Sequence, residues 1–299
     1  MKETVAAQSG TGPLVWLDMD QKALDDAYDQ LAYAHNRVQV SERNEFNSQR
    51  VRARLGEPQR LAYGSSQVEG LDLFTTDRAN APINVFIHGG AWRQRWSKEY
   101  AFLAEMFVRA GAHFIALDFI GIDEANGDLL PIADQVRRGV AWVYQNAEGF
   151  GGDPSRLYVS GQSSGAHLAA NVVTTDWREF GVPDDIVKGA LLCSGMYDLE
   201  PVALSKRSEY VNFTDEVEER LSPLRRLDRL NCPLIVGYGN HETPEFQRQA
   251  RDFAAAVKSA GKPVKLLLCE GYNHFEMCET IGNPLSEIGA AVLEQMRLV

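Results

Sequence analysis

The chain has 299 residues, 44% of them hydrophobic and 24% charged, and a formal net charge of −11. That is enough chain for one large core, and the composition is that of an ordinary globular protein. The acidic balance excludes nucleic acid and anionic membrane surfaces as expected partners, because both are met by basic patches.

The first segment, MKETVAAQSGTGPLVW, has no apolar run behind a basic start, so no signal peptide is expected. No window reaches the length of a membrane-spanning helix, and a cytoplasmic location is the expectation. Asp20 is placed to cap a helix whose Leu24, Tyr28 and Leu31 fall on one face. The polar run NRVQVSERNEFNSQRVRARLG follows. Residues 1–58 therefore read as a helical segment ahead of the main domain, either a cap over its site or a peripheral helix.

From Gln59 onward, apolar runs alternate with amphipathic ones. Strands are expected at Gln59–Tyr63, Leu71–Thr75, Ile83–His88, Ala112–Asp118, Leu157–Ser160, Ala190–Ser194, Leu234–Tyr238 and Val264–Cys269. Helices are expected at Glu99–Ala110, Ile132–Asn146, Gly165–Thr174, Glu245–Ala260 and Leu285–Met296. Many of the strand runs are continuously apolar, as in strands buried on both faces. The alternation predicts the α/β class, a mostly parallel eight-stranded sheet flanked by helices over residues 59–299. Residues 198–223 interrupt it, and a long insertion beside a site is expected to act as a lid. Cys193, Cys232, Cys269 and Cys278 form no CxxC pair, which argues against zinc ribbons and thioredoxin chemistry.

The chemistry centres on RLYVSGQSSGAHLAA. An apolar strand runs into Gly161-Gln162-Ser163-Ser164-Gly165 and then a helix, the setting that a G-x-S-x-G nucleophile turn requires. Ser164 competes on composition, but the glycine spacing selects Ser163. A serine hydroxyl needs a base. Of the six histidines, His274 follows the last strand through a Gly-Tyr-Asn turn, where the order Ser…acid…His puts the base. His88 is held beside two glycines, His167 is one turn into the helix, and His241 sits in a polar loop; His35 and His113 precede the motif without other chemical signals. The acid belongs after the strand CPLIVGYG, which selects Glu242; Glu245 opens a helix behind Pro244, and Asp198 is the other rival. His88-Gly89-Gly90-Ala91 follows the third strand. It is placed, with the N–H of Ser164, to receive the oxyanion formed when a serine attacks a carbonyl. Trp92 reads equally as a wall of the substrate pocket or as core. Tyr272 and Phe275 are further substrate-binding candidates on the loop around His274.

The stretches HGGAW, GQSSGAHLA, SGMYDL, ETPEFQRQ and YNHFE together resemble the α/β-hydrolase superfamily, its HGG-type esterases, and among these the kynurenine formamidase-like branch. The pattern runs from about Tyr63 to the C-terminus. The resemblance implies an α/β-hydrolase fold, a Ser163–His274–Glu242 triad and an oxyanion hole from Gly89, Gly90 and Ser164. The chain departs from the branch in having Ala91 in place of a tyrosine, Gln162-Ser163-Ser164 in place of His-Ser-Ala, and glutamate rather than aspartate as the acid. The expected function is cleavage of a small carboxylic ester through an acyl-enzyme, with an N-formyl or N-acyl aryl compound as the alternative substrate. The reading from another class is a ligand-binding protein on a hydrolase scaffold, but such proteins typically lose a triad member. A prolyl-oligopeptidase-type peptidase would carry a propeller, and no blade repeat occurs. No cofactor and no metal is expected. The expected partner is a small-molecule ester or amide, with neither nucleic acid nor membrane, and a homodimer is compatible with the sequence.

Overall fold

A computed structural model describes residues 12–93 and 95–299; the start of the segment read for a signal peptide lies outside them. The first described elements are a small antiparallel pair, β1 (Leu14–Trp16) and β2 (Met19–Asp20). Asp20 then caps α1 (Gln21–Ala27), its side chain accepting from the Ala23 N–H at 3.0 Å. Leu24 and Tyr28 are buried as expected, but Leu31 is 49% exposed. The chain breaks at Asp29, which caps the short α2 (Gln30–Tyr33), so the third member of the stripe rotates out.

The polar run forms a helix that periodicity does not reveal, α3 (Arg37–Leu55), 19 residues long. Only Val40, Ser48 and Val51 are buried on it, too few for an apolar stripe. Polar contacts hold it instead: Ser48 Oγ donates to the Glu99 carbonyl at 3.0 Å, Arg52 to the Lys98 carbonyl at 2.8 Å, and Arg43 pairs with Glu279.

Strands satisfy their N–H and C=O groups by pairing edge to edge. Eight do so here: β3 (Gln59–Ala62), β4 (Gly70–Phe74), β5 (Ala81–Ile87), β6 (His113–Leu117), β7 (Gly152–Gln162), β8 (Val187–Cys193), β9 (Leu234–Gly239) and β10 (Val264–Cys269). Their order is β10-β9-β8-β7-β5-β6-β4-β3. The pairs from β10 through β6 are parallel; β4 and β3 close one edge antiparallel. Between the strands come α4 (Ala104–Arg109), α5 (Leu130–Asn146), α6 (Ser164–Val173), α7 (Glu200–Ala203), α8 (Asp215–Leu221) and α9 (Pro244–Ser259). After β10 follow α10 (His274–Ile281) and α11 (Glu287–Gln295). Strand side chains alternate between two apolar layers. Ile83, Val85 and Ile87 face one with α5, α6 and α9, while Phe86 faces the other with α4 and α11. No helix among the described residues is long and apolar enough to cross a membrane.

The register decides where a site can form. The chain leaves β5 to one side for β6, then returns across it to β7, so the strand order reverses there. Open parallel sheets bind ligands at that reversal, outside the carboxyl ends of the strands. Ile87 lies opposite Gly161, and Gln162 opposite Cys193, so the loops after β5, β7 and β8 leave the sheet level with one another. The 198–223 insertion holds α7, a 3₁₀ turn at Lys206–Glu209 and α8. It touches the N-terminal segment: Gln21 donates to the Leu204 carbonyl at 2.8 Å, and the Lys206 N–H to Asp25 at 2.6 Å.

Candidate active site

Ser163 sits between β7 and α6 with φ 59° and ψ −126°, a conformation that costs a non-glycine residue about 1–3 kcal/mol. The turn closes because its flanking glycines have no Cβ. One on Gly165 would stand 2.1 Å from the Ile87 oxygen and 2.5 Å from that of His88. Both obstacles are backbone, so no side chain can move aside.

His274 opens α10 behind a reciprocal cap. Asn273 accepts from the N–H groups of Phe275 and Glu276, and Glu276 accepts from that of Asn273 at 3.0 Å. The N-x-x-E spacing of Asn273 and Glu276 is the signal from which this unexpected helix is legible. The Nε2 of His274 lies 2.8 Å from Ser163 Oγ, and its Nδ1 lies 2.6 Å from Glu242 Oε1. A carboxylate only accepts, so Nδ1 carries the proton and Nε2 is left to accept from the serine hydroxyl. The other Glu242 oxygen accepts from the Gly239 N–H at 2.7 Å and the Ser194 hydroxyl at 2.9 Å. Gln162 donates to the His274 carbonyl at 3.0 Å. Neither Ser194 nor Gln162 stands out in sequence, since their contacts span 48 and 112 residues. The structure thus brings Ser163, His274 and Glu242 together and keeps both rival acids away. Asp198 accepts from the Glu200 N–H at 3.2 Å, and Glu245 is buried in a pair with Arg248 and accepts from the Tyr28 hydroxyl.

The Gly-Gly loop rests on the serine turn. A Cβ on Gly89 would stand 2.7 Å from the Gln162 oxygen and 3.0 Å from Ser163 Cβ. Gly89 is buried beneath the site, while Gly90 and Ala91 line the cleft with Ser163 and His274. Ser164 is the first residue of α6, where a helix leaves its N–H groups without intrahelical partners. Its hydroxyl accepts from the Trp92 N–H at 3.1 Å, tying loop to turn. The His88 ring stacks between Phe119 and Tyr100, with centroids 4.2 and 5.5 Å away, and its Nδ1 lies 3.0 Å from the Gly89 carbonyl.

Of the three substrate-wall candidates, the structure places only Phe275 on the cleft wall, and Trp92 takes the core alternative. Trp92 is 1% exposed and lies in the core, where its Nε1 donates to His167 at 3.2 Å; a positive φ of 59° turns it away from the cleft. Tyr272 is 37% exposed, and its residue is absent from the cleft wall, which follows the inward-facing Phe275 instead. The cleft itself is about 1230 Å³ and is bounded by the N-terminal segment, the insertion and the loop after β5. All four cysteines are buried and unpaired, and burial raises the Cys269 thiol to about 11 and Cys232 to about 12.

His167 and His88 are buried, and burial lowers each to about 4. His167 accepts from Trp92 at Nδ1 and donates from Nε2 to the Leu221 carbonyl at 2.7 Å, bonds that suit the neutral ring. The unfolded chain protonates these rings near the ordinary value of about 6.5. Between there and pH 4 the unfolded state holds more protons, so stability falls as pH falls through that window and is unaffected above it. Each ring contributes about 3 kcal/mol of that loss by its acid end. Urea midpoints will therefore drop between pH 7 and 4.5, and less steeply in His167→Gln; equal slopes in the two proteins would refute this.

The BD-FAE family matches residues 71–184 of the chain. The kynurenine formamidase of Danio rerio is 34% identical over 228 residues, 74% of this chain and 75% of that protein. That of Salmo salar is 31% identical over 281 residues, covering 89% and 93%. In fold, the native structure of the thermophilic esterase Est2 from Thermogutta terrifontis superposes with a TM-score of 0.63 over 82% of this chain and 90% of that one, at 21% identity. With those relatives and the sheet described above, the chain belongs to the kynurenine formamidase-like branch of the α/β-hydrolase superfamily and is a hydrolase of that type.

Proposed function

We propose that the protein is a serine hydrolase that removes a small acyl group from an aromatic partner, an N-formyl arylamine first and a short carboxylic ester second. The observation that carries this reading is the unbroken line from Ser163 Oγ through His274 to Glu242, with contacts of 2.8 and 2.6 Å. His274 takes the hydroxyl proton as Ser163 attacks the carbonyl carbon, and Glu242 stabilises the imidazolium that results. The oxyanion meets the N–H of Ser164 and those of the Gly89–Gly90 loop. His274 returns the proton to the departing amine or alcohol. A water activated by the same ring then releases the acid from the acyl-enzyme.

Three features support the aryl preference. Phe275, Tyr28, Trp96 and Tyr210 line the cleft. The formamidase relatives match 74% and 89% of the chain. The N-terminal segment and the 198–223 insertion stand over the carboxyl edge of the sheet, and as a lid they would narrow the way in. The short-ester reading is favoured by the small wall at Gly90 and Ala91, where the chain departs from the tyrosine of the branch. Turnover of N-formylkynurenine, p-nitrophenyl acetate and p-nitrophenyl palmitate side by side tests both. The expected order is formamide or acetate far above palmitate, and palmitate turning over fastest would overturn the proposed lid. Formamide hydrolysis without acetate hydrolysis, or the reverse, decides between the two readings.

A further inference from the structure

The cleft differs in charge from the rest of the molecule. Seven arginine or lysine residues and five acidic ones line it, in a chain with 30 basic and 41 acidic residues. Several of these cations are already neutralised. Lys206 pairs with Asp29 at 2.5 Å, Arg93 with Asp123 at 3.2 Å, and Arg52 lies near Glu57 and Asp72.

Arg207 is held in another way. It is 8% exposed, and its bonded partners are all neutral. Nη1 donates to the Tyr210 hydroxyl at 2.8 Å, Nη2 to the Tyr28 carbonyl at 3.1 Å, and the guanidinium stands 5.7 Å from the Trp92 ring. Its Nε finds no acceptor, and no ion pair forms with it among the described residues. A buried cation that makes no ion pair and feels a carboxylate only through space, here Asp29, is expensive to keep. An acid is close at hand, but the Asp29 carboxylate is engaged by Lys206 and the Leu31 N–H. Arg207 lines the same cleft as Ser163 and His274.

We propose that Arg207 receives an anionic group of the substrate, a carboxylate carried away from the scissile carbonyl. The proposal rests on the serine-hydrolase reading above and narrows its substrate class. Nη1 and Nη2 each keep a second N–H, and a guanidinium presents such donors in a planar fork that matches a carboxylate. The bonds to Tyr28 and Tyr210 already fix the side chain, so little rotamer freedom is lost when an anion binds. They also mean that Arg207 fastens the insertion to the N-terminal segment, and the test has to separate fastening from recognition.

The test compares 4-acetoxybenzoate with its methyl ester, which share the acetyl group and the ring and differ in charge. In Arg207→Met the ratio of kcat/KM for the anionic over the neutral ester is expected to fall at least about tenfold, mainly through KM, with partial recovery in Arg207→Lys. An unchanged ratio, with the two rates holding or falling together, would make Arg207 a fastener only and overturn the proposal. A second measurement needs no variant. Benzoate should inhibit the wild-type protein competitively at least about tenfold more tightly than benzamide, and added salt should weaken it. Equal inhibition by the two would also overturn it. Failure of the underlying reading looks different: neither ester is then turned over by the wild-type protein and Ser163 takes no phosphonate label.

Discussion

Replacing Ser163 with alanine is expected to lower kcat by about four to six orders of magnitude, the scale seen when the nucleophile of a serine hydrolase is removed. The hydroxyl makes one side-chain bond, to His274 at 2.8 Å, and the strained backbone beneath it is held by the Ser163 N–H on the Cys193 carbonyl at 2.9 Å. Alanine keeps that backbone bond, so the thermal midpoint should change little while turnover disappears. An aryl phosphonate should add its mass at Ser163 in the wild-type protein and nowhere in the variant. Labelling at Ser164, or near-normal kcat in Ser163→Ala, would remove the assignment. Ser164 is a poor rival because its hydroxyl is already fixed to the Trp92 N–H.

The second large effect belongs to the acid. Glu242→Gln is expected to cost about 10³–10⁴ in kcat with KM much less affected. The amide can turn its NH₂ toward Nδ1, which forces the ring proton onto Nε2, where it can no longer accept from Ser163. The amide also leaves the developing imidazolium without a counter-charge. Asp198→Asn should retain most of kcat, because Asp198 bonds the Glu200 N–H at the start of α7 and sits near Arg225, not His274. If Asp198→Asn proves the more damaging to kcat in a folded protein, the acid has been misplaced. The three bonds that Glu242 accepts make some loss of stability certain, so both variants need to be compared at equal folded fraction.

The inner strands were legible because burial on both faces writes itself as continuous apolar runs; the edge strands β3 and β10 are largely exposed, yet every one of the eight expected strands has its counterpart in the sheet. The positions of Ser163, Glu242 and His274 could be singled out for a related reason: a tight strand–helix turn needs glycines at fixed offsets, and the other two follow identifiable strands; the structure places the three in contact. α3 was hidden because its stability comes from Ser48, Arg52 and Arg43 reaching other elements, contacts that leave no period in the chain. Trp92 could not be assigned from its neighbours. Whether a large ring faces a cleft or the core depends on its own backbone angle and on His167, 75 residues away. Arg207 carried no signal at all, since an arginine in a polar stretch ordinarily reads as a solvated surface charge.

The reversal of strand order at β5 has a bearing on how the working protein comes into being. Ser163 and His274 are 111 residues apart, and the loop that completes their surroundings is supplied by a strand inserted between its successors. Parallel strands can pair only after long loops have closed, and loop closure is where slow folding arises. No contiguous half of the chain therefore contains Gly89, Ser163 and His274 together. A nascent polypeptide can build β3 through β7 while His274 is still missing, and the contacts among Ser163, His274 and Glu242 form only when the residues beyond β10 have left the ribosome and docked.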